Sequence, residues 1–224
     1  MEIAALYIGS YLLGSIPTAY IIGRLVRGLD IRSYGSGNVG SANLYEHVGK
    51  RWVFPLVAVE VLLKGALPIL AAIYFLDISR SSTLLIGPPL LSVVGNNWSV
   101  FLKLQGGRGI AVATGTLLAL SPVLLAAFAV IAVGGWKLSK SSGLWVLISL
   151  TLLPLWAYLV YDNLNLVWYC LGLLGIVVLK RLSANWRPFP ENISRKKVLF
   201  NRLVRDRDVS DRTGWVRRIP EGSS

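Results

Sequence analysis

Two short stretches of this chain collect the residue types that bind anions. The first reads Ser33-Tyr34-Gly35-Ser36-Gly37-Asn38-Val39-Gly40-Ser41-Ala42-Asn43, with three glycines, three serines and two asparagines in eleven residues. Glycine permits positive φ and close backbone approach, so successive N–H groups can converge on an oxyanion while Ser and Asn side chains add donors. The second runs from Gly95-Asn96-Asn97-Trp98-Ser99 through Lys103 to Gly106-Gly107-Arg108-Gly109, immediately ahead of an apolar segment. N–H groups placed there stand at a helix N-terminus, where unpaired donors and the helix dipole attract anions. Lys103 and Arg108 add two fixed cations. The letters lack the Gly-x-x-x-x-Gly-Lys-Ser/Thr spacing of a P-loop, which excludes an ATPase of that class. A third polar stretch holds Ser139, Ser141 and Ser142 with Lys137 and Lys140, again donors and positive charge without an acid or base. Glu60 and Lys64, four apart inside an apolar run, share one helical face and can neutralise each other there, in a functional or a purely anchoring role. The single histidine, His47, has no Cys, Asp or second His at ligand spacing, so no metal site is predicted, and no cofactor. No Ser-His-Asp triad is visible. Phosphate-sized anion sites with little acid or base suit a reaction whose electrophile already carries a good leaving group.

The elements that must position these residues belong to a membrane. Hydrophobic residues make up 54% of the chain and charged residues 15%, and the mean hydropathy is +0.59, far above that of a soluble domain. Apolar stretches of spanning length are expected at Ile3–Gly23, Trp52–Leu76, Leu84–Leu102, Leu144–Tyr161 and Leu166–Leu179. The uncharged run from Gly109 to Trp136 exceeds one crossing and carries Ser121-Pro122 near its middle. Placing Lys137 and Lys140 on the same side as Lys103 and Arg108 requires an even number of crossings between them, so two short helices turning at Ser121-Pro122 are expected. The predicted fold is all-α: a polytopic bundle of seven transmembrane helices, two of them short, with the N-terminus outside and the C-terminus cytoplasmic. Met1–Gly23 lacks a basic n-region and a cleavage signal and is expected to be a retained first span. The chain has 23 Lys and Arg against 11 Asp and Glu, a net charge of +12, mostly beside apolar spans or in a tail from Ser183 to Ser224. That placement follows membrane topology rules and argues against nucleic acid as a partner. The tail reads as a solvated extension lying against anionic headgroups. Cys170, alone in an apolar run, excludes an intramolecular disulfide.

Gly14-Ser15-Ile16-Pro17-Thr18-Ala19-Tyr20, the Gly35-Ser36-Gly37-Asn38-x-Gly40 loop, and Trp98-Ser99-Val100-Phe101-Leu102-Lys103 running into Gly106-Gly107-Arg108-Gly109 together resemble the bacterial acyl-phosphate:glycerol-3-phosphate acyltransferases. The resemblance covers about residues 1–182, a transmembrane acyltransferase-like domain, and leaves 183–224 as a basic cytoplasmic tail. It implies a multi-pass enzyme of the bacterial inner membrane that moves a fatty acyl group from acyl phosphate to glycerol 3-phosphate, giving lysophosphatidic acid among membrane lipids. By the same resemblance Ser36, Lys103, Ser139 and Ser142 are expected in catalytic roles. Gly37, Asn38, Gly40, Asn43, Gly106, Gly107, Arg108, Gly109 and Arg181 are expected to bind substrate phosphate, with Arg108 standing for a usual Lys. The chain departs from the family pattern at Ala42, Glu46, Asn96, Gln105, Gly175 and Val178, where Thr, Arg, His, Lys, His and Asn are usual. Those departures leave a second reading open, a catalytically weak paralogue that binds phosphorylated metabolites or anionic lipid.

Overall fold

In the computed structural model, which describes residues 1–219, the chain is helical throughout, and the end of the basic tail at 220–224 lies outside the described residues. Five helical stretches are long and apolar enough to cross a membrane: Glu2–Arg27, Lys50–Phe75, Pro122–Ser139, Ser142–Tyr161 and Leu164–Trp186. Many of their large apolar side chains, among them Phe54, Val130, Leu159 and Leu179, are exposed, as lipid-facing positions require.

The first stretch is two helices, α1 (Glu2–Ser15) and α2 (Thr18–Arg27), separated at Ile16-Pro17 because proline lacks an N–H and cannot continue the ladder. Arg27 is followed by Gly28 in the left-handed conformation, which ends α2. A seven-residue helix, α3 (Ser41–His47), sits between the first and second stretches. The second stretch is α4 (Val53–Ala58), a π-helical segment Val59–Ala66, and α5 (Leu67–Phe75). The wider π turn leaves the Lys64 carbonyl to a side chain, and Ser92 donates to it at 2.6 Å. A Cβ on Gly65 would lie 2.5 Å from the Val112 carbonyl oxygen, and one on Gly115 would overlap the Val61 carbonyl, so bare glycines let two backbones touch here.

The span expected at Leu84–Leu102 is shorter in the structure. Helix α6 (Gly87–Asn97) ends at Trp98, whose φ/ψ leaves the helical region. The apolar residues that follow belong instead to a turn closed by Ser99 N–H to the Gln105 carbonyl at 3.2 Å. Across the long uncharged run lie α7 (Ile110–Leu120) and α8 (Pro122–Ser139), broken at Ser121. Ser121 caps α8 by accepting from Leu124 N–H at 3.1 Å, and Pro122 takes the first helical position, where its missing donor costs nothing. Helices α9 (Ser142–Tyr161) and α10 (Leu164–Ser183) complete the bundle. Val93, Val112, Leu117, Leu124, Leu150, Leu173 and their neighbours form a core shared by α6 to α10. A second core of Ala19, Ile31, Leu44 and Leu56 joins α2, α3 and α4 beneath the first polar loop.

The tail is not a solvated extension. It forms α11 (Arg195–Arg205) and the short α12 (Arg212–Val216), and Val198, Asn201, Arg202 and Asp208 are buried. Arg202 pairs with Asp208 at 2.6 Å and donates to the Leu182 and Arg187 carbonyls at 3.1 Å, while Arg181 donates to the Leu203 carbonyl at 2.7 Å. Charge density suggested water as the tail's environment; these arginines spend their charge on internal carbonyls and a carboxylate instead.

Candidate functional site

A cavity of about 420 Å³ opens where the two glycine-rich loops, the start of α7, the start of α9 and the folded tail meet. Its floor is apolar, with Leu56, Val57, Ile110, Ala111 and Val146. Its polar wall carries Ser36, Asn38, Gly40, Asn43, Gly107, Arg108, Gly109, Ser142 and Arg181, nine of the thirteen site residues expected from sequence. The cavity is also lined by Glu60 and Asn96 and, from the tail, by Arg205, Asp206, Arg207, Arg212 and Trp215.

The first loop turns through left-handed Gly35 (φ 47°) and Gly37 (φ 61°), a conformation that any side chain would strain. Ser36 Oγ accepts from Asn38 N–H at 3.3 Å and tightens the turn. Asn43, expected as a phosphate ligand, gives its amide to the carbonyls of Ile31, Tyr34 and Asn38 at 2.9 to 3.1 Å. It holds the loop closed and has no donor left for an anion. Asp30 sits just before this loop and pairs with Arg32 at 2.6 Å; that guanidinium holds its carboxyl below the usual carboxylate range.

In the second loop the glycines serve backbone packing. Gly106 N–H donates to Asn185 Oδ1 at 3.0 Å and Gly107 N–H to the Asn96 carbonyl at 3.0 Å. A Cβ on Gly107 would lie 2.7 Å from the Val39 carbonyl oxygen, so this glycine permits the two loops to touch. These two main-chain donors are therefore spent on protein, and side chains supply the positive charge that meets an anion. Arg108 does so best. It is mostly buried, stands 3.3 Å from the Asn38 amide, donates to the Lys180 carbonyl at 3.1 Å, and pairs through Nε with Asp206 at 2.7 Å. Arg181, more deeply buried, approaches the same carboxylate at 4.0 Å.

Lys103 and Ser139, expected in catalytic roles, stand outside the cavity. Lys103 takes a left-handed φ of 53° that turns it outward, and it is exposed. Ser139 is occupied by the Trp145 indole N–H at 2.7 Å and by the Gly135 carbonyl at 3.4 Å. Gly37 and Gly106 lie one layer behind the wall: Gly37 packs on the Arg187 guanidinium and Gly106 on the Asn96 and Asn97 carbonyls.

Two buried polar nodes fix the wall, and sequence reading saw only half of the first. Lys64 bonds Glu60 at 2.6 Å and the Ile16 carbonyl at 2.5 Å, and Glu60 accepts from Asn96 at 2.6 Å. The charge pair thus anchors the carbonyl exposed by the Pro17 break and ties α6 to the π segment. The second node is Lys180 with Asn185. Lys180 Nζ donates to the Asn97 carbonyl and, at 2.6 Å, to Asn185 Oδ1. Asn185 Nδ2 reaches the Gly37 and Gly106 carbonyls at 3.4 and 3.1 Å and Asn38 Oδ1 at 3.2 Å. One amide therefore clips both loops together. The signal in the sequence was a lone Asn just past a span, which no spacing rule singles out. Of the positions that depart from the family pattern, Asn96 has Glu60 as partner, Gln105 accepts from Arg32 at 3.4 Å, and Glu46 faces Arg217 of the tail at 3.8 Å. Ala42 lines the cavity, and Gly175 and Val178 stand away from it.

A profile described as glycerol-3-phosphate acyltransferase matches residues 4–191. The chain is 35% identical, over 93% of its own length and 90% of the relative's, to glycerol-3-phosphate acyltransferase 4 of Dehalococcoides mccartyi strain CBDB1. It is 44% identical to glycerol-3-phosphate acyltransferase 2 of Moorella thermoacetica, over 52% of this chain and 57% of that one. Among solved structures it is similar to PlsY, an integral membrane glycerol 3-phosphate acyltransferase, in the glycerol 3-phosphate form, with a TM-score of 0.75 and 27% identity over 81% of this chain and 88% of that one. A second structure of that protein, the lysophosphatidic acid form, gives a TM-score of 0.73 and 26% identity over the same shares.

Proposed function

The chain belongs to the glycerol-3-phosphate acyltransferase family and acylates glycerol 3-phosphate in phospholipid synthesis; from that premise we propose that its acyl donor is an acyl phosphate and that the cavity behind Arg108 is the reaction site. The observation that carries this reading is the pairing of five arginines, Arg108, Arg181, Arg205, Arg207 and Arg212, with an apolar floor in one cavity. Two phosphate groups and one acyl chain need that combination. Acidic groups at the wall are Glu60 and Asp206, and Glu60 is already neutralised by Lys64.

The glycerol hydroxyl attacks the acyl carbonyl carbon, the bond from that carbon to the phosphate oxygen breaks, and inorganic phosphate leaves with the electron pair. The hydroxyl proton passes to the departing phosphate, whose basicity makes a side-chain base unnecessary. Arg108 and Arg181, held by the Lys180 and Leu203 carbonyls, bind a phosphate dianion in place of Asp206. Ser36, Asn38 and Ser142 supply neutral donors around the reacting carbonyl, and preorganised donors at developing charge lower the barrier most effectively. Gly40, Gly107 and Gly109 keep the wall low enough for the ligand to approach.

Seven apolar helical passages, counted as α1 with α2, α4 with α5, and α6 to α10 singly, suit the charge distribution of the loops, with the cavity on the basic face. On this reading residues 1–182 are the catalytic unit in the bacterial inner membrane and the cavity opens toward the cytoplasm, where soluble glycerol 3-phosphate is available. Purified protein in lipid nanodiscs, supplied with palmitoyl phosphate and glycerol 3-phosphate, is expected to release lysophosphatidic acid and inorganic phosphate in equal amounts. Folded protein that yields no product from acyl phosphate would remove the donor assignment.

A further inference from the structure

The C-terminal arm from Arg187 to Arg218 is tied down at both ends and crosses the cavity between them. At its near end lie the Arg202 pair with Asp208 and the Arg181 bond to Leu203 described above. At its far end Gly35 N–H donates to the Arg218 carbonyl at 2.7 Å and Arg218 Nη2 donates back to the Gly35 carbonyl at 3.0 Å. His47 bonds the Val216 carbonyl at 3.0 Å. Trp215 lies between the guanidinium groups of Arg187 and Arg218, 5.5 and 4.9 Å from its ring. A strap fixed in this way presents a defined set of side chains to the cavity beneath it.

Those side chains are positively charged and short of counter-ions. Arg207 and Arg212 both line the cavity. Arg207 is turned by bonds to the Val209 and Ser210 carbonyls at 3.0 and 3.1 Å. It forms no ion pair among the described residues, and neither does Arg212. Burial, then the like charges of Arg205 and Arg212, hold the Arg207 guanidinium below its ordinary range. The three acids of this stretch are committed elsewhere: Asp206 to Arg108 at 2.7 Å, Asp208 to Arg202 at 2.6 Å, and Asp211 to the Thr213 and Gly214 N–H groups at 3.0 Å. Arginines crowded over a cavity whose two acids, Glu60 and Asp206, are already paired with Lys64 and Arg108 favour an anion that visits them.

We propose that Arg207 and Arg212 form a second phosphate subsite, on the arm side of the cavity that Arg108 and Arg181 also line, which binds the phosphate dianion of one of the two substrates. This deepens the function proposed above and rests on it. A two-substrate reaction between two phosphate carriers requires two such subsites, far enough apart for the acyl carbonyl to lie between them. The pair Arg108 and Arg181 supplies one; the arm supplies the other.

The test compares full-length Arg207→Gln/Arg212→Gln with Lys196→Gln/Lys197→Gln, which removes the same charge from exposed positions of α11 that do not line the cavity. Both are assayed in zwitterionic nanodiscs with each substrate varied in turn. The arginine variant is expected to raise KM for one substrate by roughly ten- to a hundred-fold, leaving the other KM and kcat within about twofold, because charge-assisted donors to phosphate are lost. Whether KM rises for glycerol 3-phosphate or for palmitoyl phosphate identifies which dianion sits on the arm. The lysine variant is expected to match wild type. Equal effects of the two variants would mean general surface electrostatics and would overturn the proposal, as would an arginine variant with both KM values unchanged. Titration calorimetry with inorganic phosphate and with glycerol 3-phosphate reads the same subsite without turnover. If wild type binds these ligands but does not react with acyl phosphate, the donor assignment fails alone; if wild type and the arginine variant bind both ligands equally, the arm subsite fails.

Discussion

At the scale of single residues, the cation that faces the anion site is decided by backbone direction more than by sequence distance. Lys103 and Arg108 lie five apart in one loop, and both read as phosphate ligands. Lys103 carries a left-handed φ and points to the surface, whereas Arg108 stands just ahead of left-handed Gly109 at the start of α7 and is fixed by the Lys180 carbonyl and Asp206. Arg108→Gln is therefore expected to lower kcat/KM by tens- to hundreds-fold, about 2–4 kcal/mol of lost phosphate binding, while Lys103→Ala stays within about threefold. Steady-state kinetics at equal amounts of folded protein check both, and the reverse order would return Lys103 to the site. The loops themselves were legible because a density of Gly, Ser and Asn has few uses beside a membrane. Which of their donors remain free was not legible. Asn43, Gly106 and Gly107 spend theirs on carbonyls that only the folded chain brings near.

At the scale of elements, the sequence spoke clearly where proline or glycine forced a break and poorly where a helix changed its winding. The break between α7 and α8 follows from Pro122 and from Ser121 as a cap, and both letters are visible in advance. The π-helical Val59–Ala66 has no such letters; it persists because Ser92, from α6, satisfies the Lys64 carbonyl. The α6 boundary was misread for a related reason. Val100, Phe101 and Leu102 are apolar enough for a span, yet they belong to a turn held by Ser99 and Gln105. Close contact between the π segment and α7 depends on Gly65 and Gly115, where any side chain would overlap backbone that cannot move aside. Gly115→Leu is expected to lower the thermal midpoint in detergent by several degrees or to abolish folded protein, from overpacking of about 1–3 kcal/mol or more. Gly134→Leu, at a position where a Cβ meets nothing within 4 Å, is expected to leave the midpoint unchanged. Equal midpoints for the two variants would show that the glycine contact is not what joins these helices.

At the scale of the whole molecule, the apolar pattern and the positive charge of the loops pointed to the same bundle, because hydrocarbon constrains both at once. The arm escaped that reading. Its basic, polar composition is what a solvated tail would also have, and the carbonyls that absorb its arginines come from residues far away in sequence. Its docking gives topology a functional meaning, since the arm can cover the cavity only if the first loop, the second loop, the start of α9 and the C-terminus share one side of the membrane. The loop holding Asp77 and Arg80 and the turn at Asp162-Asn163 must then lie on the other. Replacing Cys170 and introducing single cysteines tests this in intact cells and inverted vesicles with an impermeant thiol reagent. Cysteines at 79 and 163 are expected to label only from outside. Cysteines at 36, 107 and 141 are expected to label only from the cytoplasmic side, those at 36 and 107 more slowly than the one at 141 because the arm roofs the cavity they line or adjoin. Outside labelling at 141 would break the even number of crossings between Arg108 and Lys137, and with it the arrangement that brings Ser142 and the arm to one cavity.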